Sequence, residues 1–185
     1  MGEVASSPLQ WNVKMHRTLS VFVFVATTQV LTAQSPAINP EMSALFQGNF
    51  SCKGSFASGK PIEADVSFTP QLDGRWLAYS HADRAPNRYK ALGYWGPDGE
   101  SKKFVMLLVD VGGARMFSSD GWNAGAITFE RMPLPGQLGR KERFRFEKEL
   151  DVSFKMTYET ANGSDWKLGD SIVCTRTASA NAPVD

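Results

Sequence analysis

The chain has 185 residues, of which 42% are hydrophobic and 21% are charged, and its formal net charge is +1. A length of ~100–200 residues is typical of one domain, and this apolar content is sufficient for a packed core. The near-balance of charge gives no electrostatic reason to expect a nucleic-acid partner.

Residues 1–33 have the order of a secretory signal. A short basic stretch precedes an apolar run at 19–26, and small and polar residues then lead to Ala33. We predict cleavage after Ala33, with Met15 as the natural start and 1–14 as an upstream extension. The apolar run is shorter than the ~20 residues of a membrane-spanning helix, so the pattern favours a signal over an anchor. The sequence therefore predicts an exported protein, periplasmic or extracellular, whose mature chain is formally neutral and has no membrane span.

Export affects how the two cysteines are interpreted, because an isolated pair in an oxidising compartment usually forms a disulfide. Cys52 and Cys174 lie near the two ends of the mature domain. A bond between them would close a loop of about 120 residues and stabilise the fold by ~4–5 kcal/mol in the chain-entropy model. The alternative, two buried free thiols, would suit a cytosolic protein better.

The mature chain is expected to begin with a polar tether at 34–41, followed by one domain at 42–177 and a disordered tail at 178–185. The peptide Asn39-Pro40-Glu41 is typical of a helix start, since Asn caps, Pro fits the first helical position and Glu suits the first turn. Apolar residues follow at helical spacing: Met42, Leu45 and Phe46. One short N-terminal helix is predicted.

Turn signals rich in Gly, Asp, Asn and Pro then recur every eight to twelve residues, which is typical of an all-β sandwich or barrel. The segments between them predict about ten strands, at 48–57, 61–71, 74–82, 87–96, 102–110, 114–119, 124–131, 141–148, 151–159 and 165–176. Every connection is short enough for a hairpin, so the sheet is antiparallel. Such an up-and-down meander removes its edges by closing into a barrel of about 8–10 strands.

The predicted strands alternate apolar and polar residues, which assigns one face of each to the barrel interior. The continuous apolar run at 104–109 instead predicts a strand covered on both faces. The basic stretch at 140–145 is expected to be a solvated strand face, because Glu142 and Glu147 interleave it. The residues that could line a lumen are aromatic or polar: Tyr79, His81, Tyr89, Trp95, Phe117, Phe144, Phe146, Phe154 and Tyr158.

His81 is the sharpest single candidate for a functional residue. It shares a strand face with Tyr79, so both would project into the lumen if that face points inward. There His81 could anchor a ligand, or act with Asp83 or Glu63 as an acid–base pair. We favour a plainer interpretation, in which His81 lies at the strand end near the rim and meets solvent or Asp83.

Two places in the sequence resemble the calycins, the superfamily of lipocalins, fatty-acid-binding proteins and nitrobindin-like barrels. The stretch 45–54 (Leu-Phe-Gln-Gly-Asn-Phe-Ser-Cys-Lys-Gly) is similar to the Gly-x-Trp start of those barrels, with Phe50 at the Trp position. The resemblance implies that Arg176, on the last strand, packs across that ring and closes the barrel. There is no room between Phe56 and Ile62 for the two-helix lid of fatty-acid-binding proteins.

The middle of the chain also resembles a bacterial secreted family of domains of unknown function. The motifs that carry this resemblance lie at 72–77, 92–98, 119–122 and 143–146. Together the two resemblances cover about 42–177 and imply a fold without a settled activity. Nitrobindin-like barrels hold haem through a His near the C-terminal end, where this chain has none, so no cofactor is expected.

The sequence is compatible with three functions. The first is binding of a small apolar or amphipathic molecule in the lumen, which would need a pocket of ~300 Å³ or more. The second is a structural or protein-interaction barrel that uses outer aromatics such as Trp76 or Tyr94. The third is an enzyme built on His81. A metal site is not expected, because the mature chain has one His and a pair of cysteines that should be bonded. The oligomeric state is left open.

Overall fold

In the computed structural model, residues 38–133 and 140–178 are described. The predicted signal at 1–33 and most of the predicted tail lie outside them. The first element is the helix α1, Pro40–Phe46. Its N-terminus is capped as the sequence predicts, because the Asn39 side chain accepts hydrogen bonds from the backbone N–H groups of Glu41 and Met42, at 2.9 and 3.2 Å.

Ten strands follow α1. They are β1 Gly48–Phe56, β2 Pro61–Gln71, β3 Trp76–Asp83, β4 Lys90–Pro97, β5 Phe104–Asp110, β6 Gly113–Ser119, β7 Ala126–Arg131, β8 Glu142–Leu150, β9 Ser153–Asn162 and β10 Asp165–Arg176. Each strand pairs antiparallel with its neighbours in sequence, and β1 pairs with β10. The predicted all-β antiparallel meander, closed into a barrel and preceded by one short helix, is therefore confirmed.

The barrel closes at the seam between β1 and β10. Cys52 and Cys174 are directly opposite each other in this register and form a disulfide, with their Cα atoms 4.0 Å apart. Both side chains are buried inside the barrel. The predicted pairing of the two cysteines is confirmed, and the bond links the first strand to the last.

The helix α1 fills one end of the barrel. We call this the closed end, and it includes the turns that connect β2 to β3, β4 to β5 and β8 to β9. Phe46 is fully buried there and its ring contacts Trp95, Phe154 and Phe146 at centroid distances of 5.4, 4.9 and 6.0 Å. Aromatic rings at these distances and tilts pack favourably. A cluster of aromatic rings therefore fills the core under α1.

The opposite end, which we call the open end, carries the turns that connect β1 to β2, β3 to β4, β5 to β6 and β9 to β10. Here α1 does not reach the lumen, and the inward side chains include charged ones. The site described below lies at this end.

Strand β5 differs from its prediction. Leu107 and Val109 are 37% and 46% exposed, so the expectation that the run 104–109 is covered on both faces was wrong. The wall is a single layer, and no helix or strand within 38–133 and 140–178 packs outside it. The apolar side chains instead shelter one another across the strands, where Tyr94 is paired with Leu107 and Leu92 with Val109.

Candidate ligand site in the barrel lumen

A cavity of about 230 Å³ lies inside the open end of the barrel. Most of its wall is apolar: Phe56, Ile62, Met106, Leu108, Phe144, Phe146, Met156 and Ile172. The remaining lining residues are polar or charged: Tyr79, His81, Asp83, Tyr89, Arg115, Tyr158 and Asp170. An apolar pocket with a few convergent polar groups is the usual form of a small-molecule site.

Six of the nine candidate lumen residues line this cavity, namely Tyr79, His81, Tyr89, Phe144, Phe146 and Tyr158. The other three point inward but lie elsewhere in the core. Trp95 and Phe154 pack against Phe46 under α1, and Phe117 packs against Phe144 at a centroid distance of 5.3 Å. These three residues do not border the cavity because α1 and the neighbouring rings already fill the space around them.

Strand β3 places Tyr79, His81 and Asp83 in a row on the inner face, because alternate residues of a strand share a face. The Tyr79 hydroxyl lies 3.0 Å from His81 Nδ1, and His81 Nε2 lies 2.8 Å from Asp83 Oδ1. A neutral imidazole protonated on Nε2 fits both contacts, with Tyr79 donating to Nδ1 and Nε2–H donating to the carboxylate. Burial raises the pKa of Tyr79 well above its usual range, so the phenol keeps its proton as a donor.

His81 therefore meets Asp83, as the plainer interpretation proposed, but it does not meet solvent. Its side chain is only 4% exposed, so Asp83 is the partner it meets of the two that this interpretation offered. Of the two acids considered as an acid–base partner for His81, the structure brings Asp83 to it and not Glu63. Glu63 lies on the outer face of β2, half exposed, and contacts Lys53 and Arg84. It is on the other side of the wall because its neighbours Ile62 and Ala64 face inward.

A second polar group lies across the lumen and centres on Glu142, whose side chain is 3% exposed. Its carboxylate accepts from Arg115 at 3.0 Å, from Arg131 at 2.8 Å and from the Tyr158 hydroxyl at 2.5 Å. Arg115 also pairs with Asp110. The prediction of a solvated face was thus wrong for Glu142, which alternates in phase with Phe144 and Phe146 and points inward.

Asp170 completes the lining and lies next to an irregularity in β10. The register between β10 and β9 shifts between Leu168 and Asp170, and Gly169 lies in this bulge. A Cβ at Gly169 would lie 2.6 Å from the Tyr158 ring, so only glycine lets the strands approach this closely. Asp170 lies on the regular side of this bulge, in phase with the inward residues Ile172 and Cys174, and therefore faces the lumen.

The Asp170 carboxyl is poorly solvated and lies beside another acid. Burial, together with the nearby charge of Asp83, raises its pKa to about 6. Within 38–133 and 140–178, no side chain or backbone group forms a hydrogen bond or ion pair with this carboxyl. It is the one lining carboxyl of the described chain that lacks a protein partner.

The predicted closure residues also lie together. The Arg176 guanidinium lies over the Phe50 ring, 5.1 Å from its centre. Its Nη2 donates to the backbone carbonyls of Ala44 and Leu45 at 2.7 and 2.8 Å, so the last strand is bonded to the end of α1. These contacts lie at the closed end, away from the cavity.

Within the described residues no three His, Cys, Asp or Glu side chains are arranged to hold a metal ion. The only helix there is too short to cross a bilayer.

No protein-family model matches this sequence, and no curated protein matches it. Among solved structures, the chain is similar to the crystal structure of Rv2717c from M. tuberculosis, with a TM-score of 0.47 and 15% identity over 76% of this chain and 99% of that one. It is also similar to a redesigned β-barrel, b11L5F_LGL, with a TM-score of 0.42 and 11% identity over 78% of this chain and 99% of the design.

Proposed function

We propose that this protein is an exported, calycin-like barrel that binds a small apolar or amphipathic molecule in its lumen. The observation that carries the proposal is the cavity of about 230 Å³ at the open end, with apolar walls and polar groups on two sides. The arrangement of Phe50 and Arg176 supports the calycin-like part of the proposal, and the disulfide is consistent with an oxidising compartment.

The volume restricts the ligand. At about 230 Å³ the cavity does not reach the ~300 Å³ that we required for a lumen ligand, so the proposal holds only for a ligand smaller than a drug-sized molecule. An apolar protein cavity of ~150 Å³ is large enough to take benzene. A molecule with one aromatic ring, or an aliphatic body of similar size, and a short polar arm fits the dimensions of this cavity.

Native mass spectrometry of the purified protein tests this proposal by looking for a co-purifying small molecule. Leu108→Phe adds bulk to the cavity wall, and Leu107→Phe adds the same bulk to the outer face of the same strand. We expect a bound mass in the wild type and in Leu107→Phe, and a reduced bound fraction in Leu108→Phe. Circular dichroism shows whether each variant is folded. Equal bound fractions in both folded variants would contradict a lumen site.

A second candidate function is self-association through the outer face of β4 and β5. Four apolar side chains are exposed there: Leu92, Tyr94, Leu107 and Val109. Two identical sheet patches can pack on each other about a two-fold axis, so a second copy of this chain is the simplest occupant. Trp76 does not contribute, because its ring covers Gly96.

The small size of this patch makes self-association less favoured than ligand binding in the lumen. Four half-exposed side chains offer roughly a few hundred Å², a size that monomers also carry, whereas a stable interface buries about 800 Å² on each partner. Analytical ultracentrifugation of the wild type and Leu107→Lys would decide. A dimer that dissociates in the variant supports this function, and a wild-type monomer at all concentrations rejects it.

A further inference from the structure

The charges that face the lumen divide into two groups. In the first, Arg115 and Arg131 are paired with Asp110 and Glu142, so two cations offset two anions. The Tyr158 hydroxyl also donates to Glu142. The two cations and two anions balance, so these four residues offer little net charge to an incoming ionic group, although the buried Nε of Arg115 has no hydrogen-bond acceptor within the described chain.

The second group is not balanced. Asp83 and Asp170 both border the cavity, and within the described residues the only basic side chain in contact with them is His81 on Asp83. Even a protonated His81 could offset only one of the two carboxylates. One negative charge therefore faces the cavity without a cation from the described residues, and burying an unpaired charge is costly.

The other walls of the same cavity are suited to an apolar body. Met106, Leu108, Met156 and Ile172 are each at most 5% exposed and face the space beside the two carboxylates. The rings of Tyr79 and Tyr89 border it as well, and aromatic faces attract cations. An anion would meet two carboxylates here, and Arg115 could not compensate because it is already paired.

We propose that the lumen site selects small organic cations, in which a compact apolar body lies against the methionine and leucine wall and an ammonium group binds between Asp83 and Asp170. This inference rests on the proposed function and specifies the ligand class of the same cavity. The ammonium supplies the cation that the two carboxylates lack, and the alternation of β10, with Asp170 in phase with Ile172, presents Asp170 to it.

Isothermal titration calorimetry with three probes of equal apolar body tests the inference. The probes are phenethylamine, phenethyl alcohol and phenylpropanoate, which carry a cation, a neutral hydroxyl and an anion. A hydrogen bond to a charged group contributes ~1.5–3 kcal/mol, so the amine should bind about tenfold or more tightly than the alcohol. The anion should bind more weakly than either.

The variant Asp170→Asn keeps the shape of the side chain and removes its charge. We expect it to reduce the preference for the amine over the alcohol to about threefold or less, with alcohol binding unchanged. The matched control is Asp73→Asn, which makes the same charge change on an exposed turn at the closed end. Asp73→Asn should keep the wild-type preference.

The outcomes separate the two proposals. If the alcohol binds as tightly as the amine, or if Asp170→Asn keeps the preference, the cation inference is overturned while lumen binding stands. If no probe binds and native mass spectrometry also finds no ligand, the proposed function and the inference both fall. An amine preference that is lost in Asp170→Asn and retained in Asp73→Asn supports both.

Discussion

The guanidinium of Arg176 lies 5.1 Å from the centre of the Phe50 ring, across the seam where the last strand meets the first. The same side chain donates to Ala44 and Leu45 at the end of α1. One residue thus connects the helix, the first strand and the last strand. A Cβ at Gly48 would lie 2.9 Å from its Nη1, so the chain passes closely beside it.

We predict that Arg176→Ala lowers the free energy of unfolding by about 2–3 kcal/mol. It removes a cation–π contact of ~0.5–2 kcal/mol and charge-assisted hydrogen bonds to two carbonyls of α1. Urea denaturation checks the value, with the exposed Arg75→Ala as a control that should change it by less than ~0.5 kcal/mol. A loss equal to that of the control would show that the contact does not hold the helix in place.

The disulfide gives a second prediction. Replacing Cys52 and Cys174 together by Ala should lower the free energy of unfolding by up to ~4–5 kcal/mol, because the closed loop is long. The bond is buried where β1 pairs with β10, and it joins two cysteines that are 122 positions apart in the sequence. Guanidinium denaturation of the double variant and of the wild type measures the difference. A loss below ~1 kcal/mol would mean that strand pairing alone constrains the barrel ends.

Asp170 predicts a pH dependence of stability. A carboxyl whose pKa is raised on folding binds its proton more tightly in the folded state, so stability is lost as pH rises from about 4 through the folded value of about 6. Other polar and charged groups border the same cavity, including Asp83, His81, Arg115 and Tyr158. The stability of the wild type therefore reflects all of them, whereas the difference in stability between the wild type and Asp170→Asn isolates the contribution of Asp170.

We therefore expect Asp170→Asn and the wild type to be equally stable at about pH 4. By about pH 7.5 the variant should be the more stable by about 2 kcal/mol, a value reduced from the full linkage figure because the carboxyl is partly exposed. Denaturant titrations across this range measure the difference. A difference that is constant with pH would show that Asp170 is not held in a poorly solvated site.

The seam between β6 and β7 should be the least protected part of the wall. Within the described strands it is paired only at Phe117–Arg131 and Ser118–Glu130, whereas β8 and β9 are paired along most of their length. Fewer ladder hydrogen bonds allow local opening at lower free energy. Hydrogen exchange measured by mass spectrometry should show faster uptake in peptides covering β6 and β7 than in those covering β8 and β9. Uniform protection would contradict this.

The fold was largely predictable because turn residues and two-residue alternation are local signals. Continuing the same alternation would also have found two of the inward acids. Asp110 follows Met106 and Leu108 in phase, and Glu142 precedes Phe144 and Phe146 in phase. Their charge suggested that these two acids face solvent. The arginines that pair with them in the interior come from other strands, so a single segment of sequence does not reveal the pairing.

Asp170 is in phase with Ile172 and Cys174, so alternation counted back along β10 also assigns it to the interior. The bulge at Gly169, where this alternation ends, could not be predicted in the same way, and neither could the depth of each inward residue. Alternation assigned Trp95 and Phe154 correctly to the inside, but it does not give depth along the barrel axis. That depth depends on how far α1 enters the closed end, which is set by tertiary packing with Phe46.

The most direct measurement of lumen binding uses NMR of isotope-labelled methionine methyl groups during titration with phenethylamine and phenethyl alcohol. Met106 and Met156 line the cavity, whereas Met42 is buried at the closed end and Met116 lies on β6 outside the cavity lining. We predict saturable shifts of the Met106 and Met156 signals, with Met42 and Met116 unchanged. Signals that do not move with either probe, or that all move without saturation, would contradict a ligand site in the lumen.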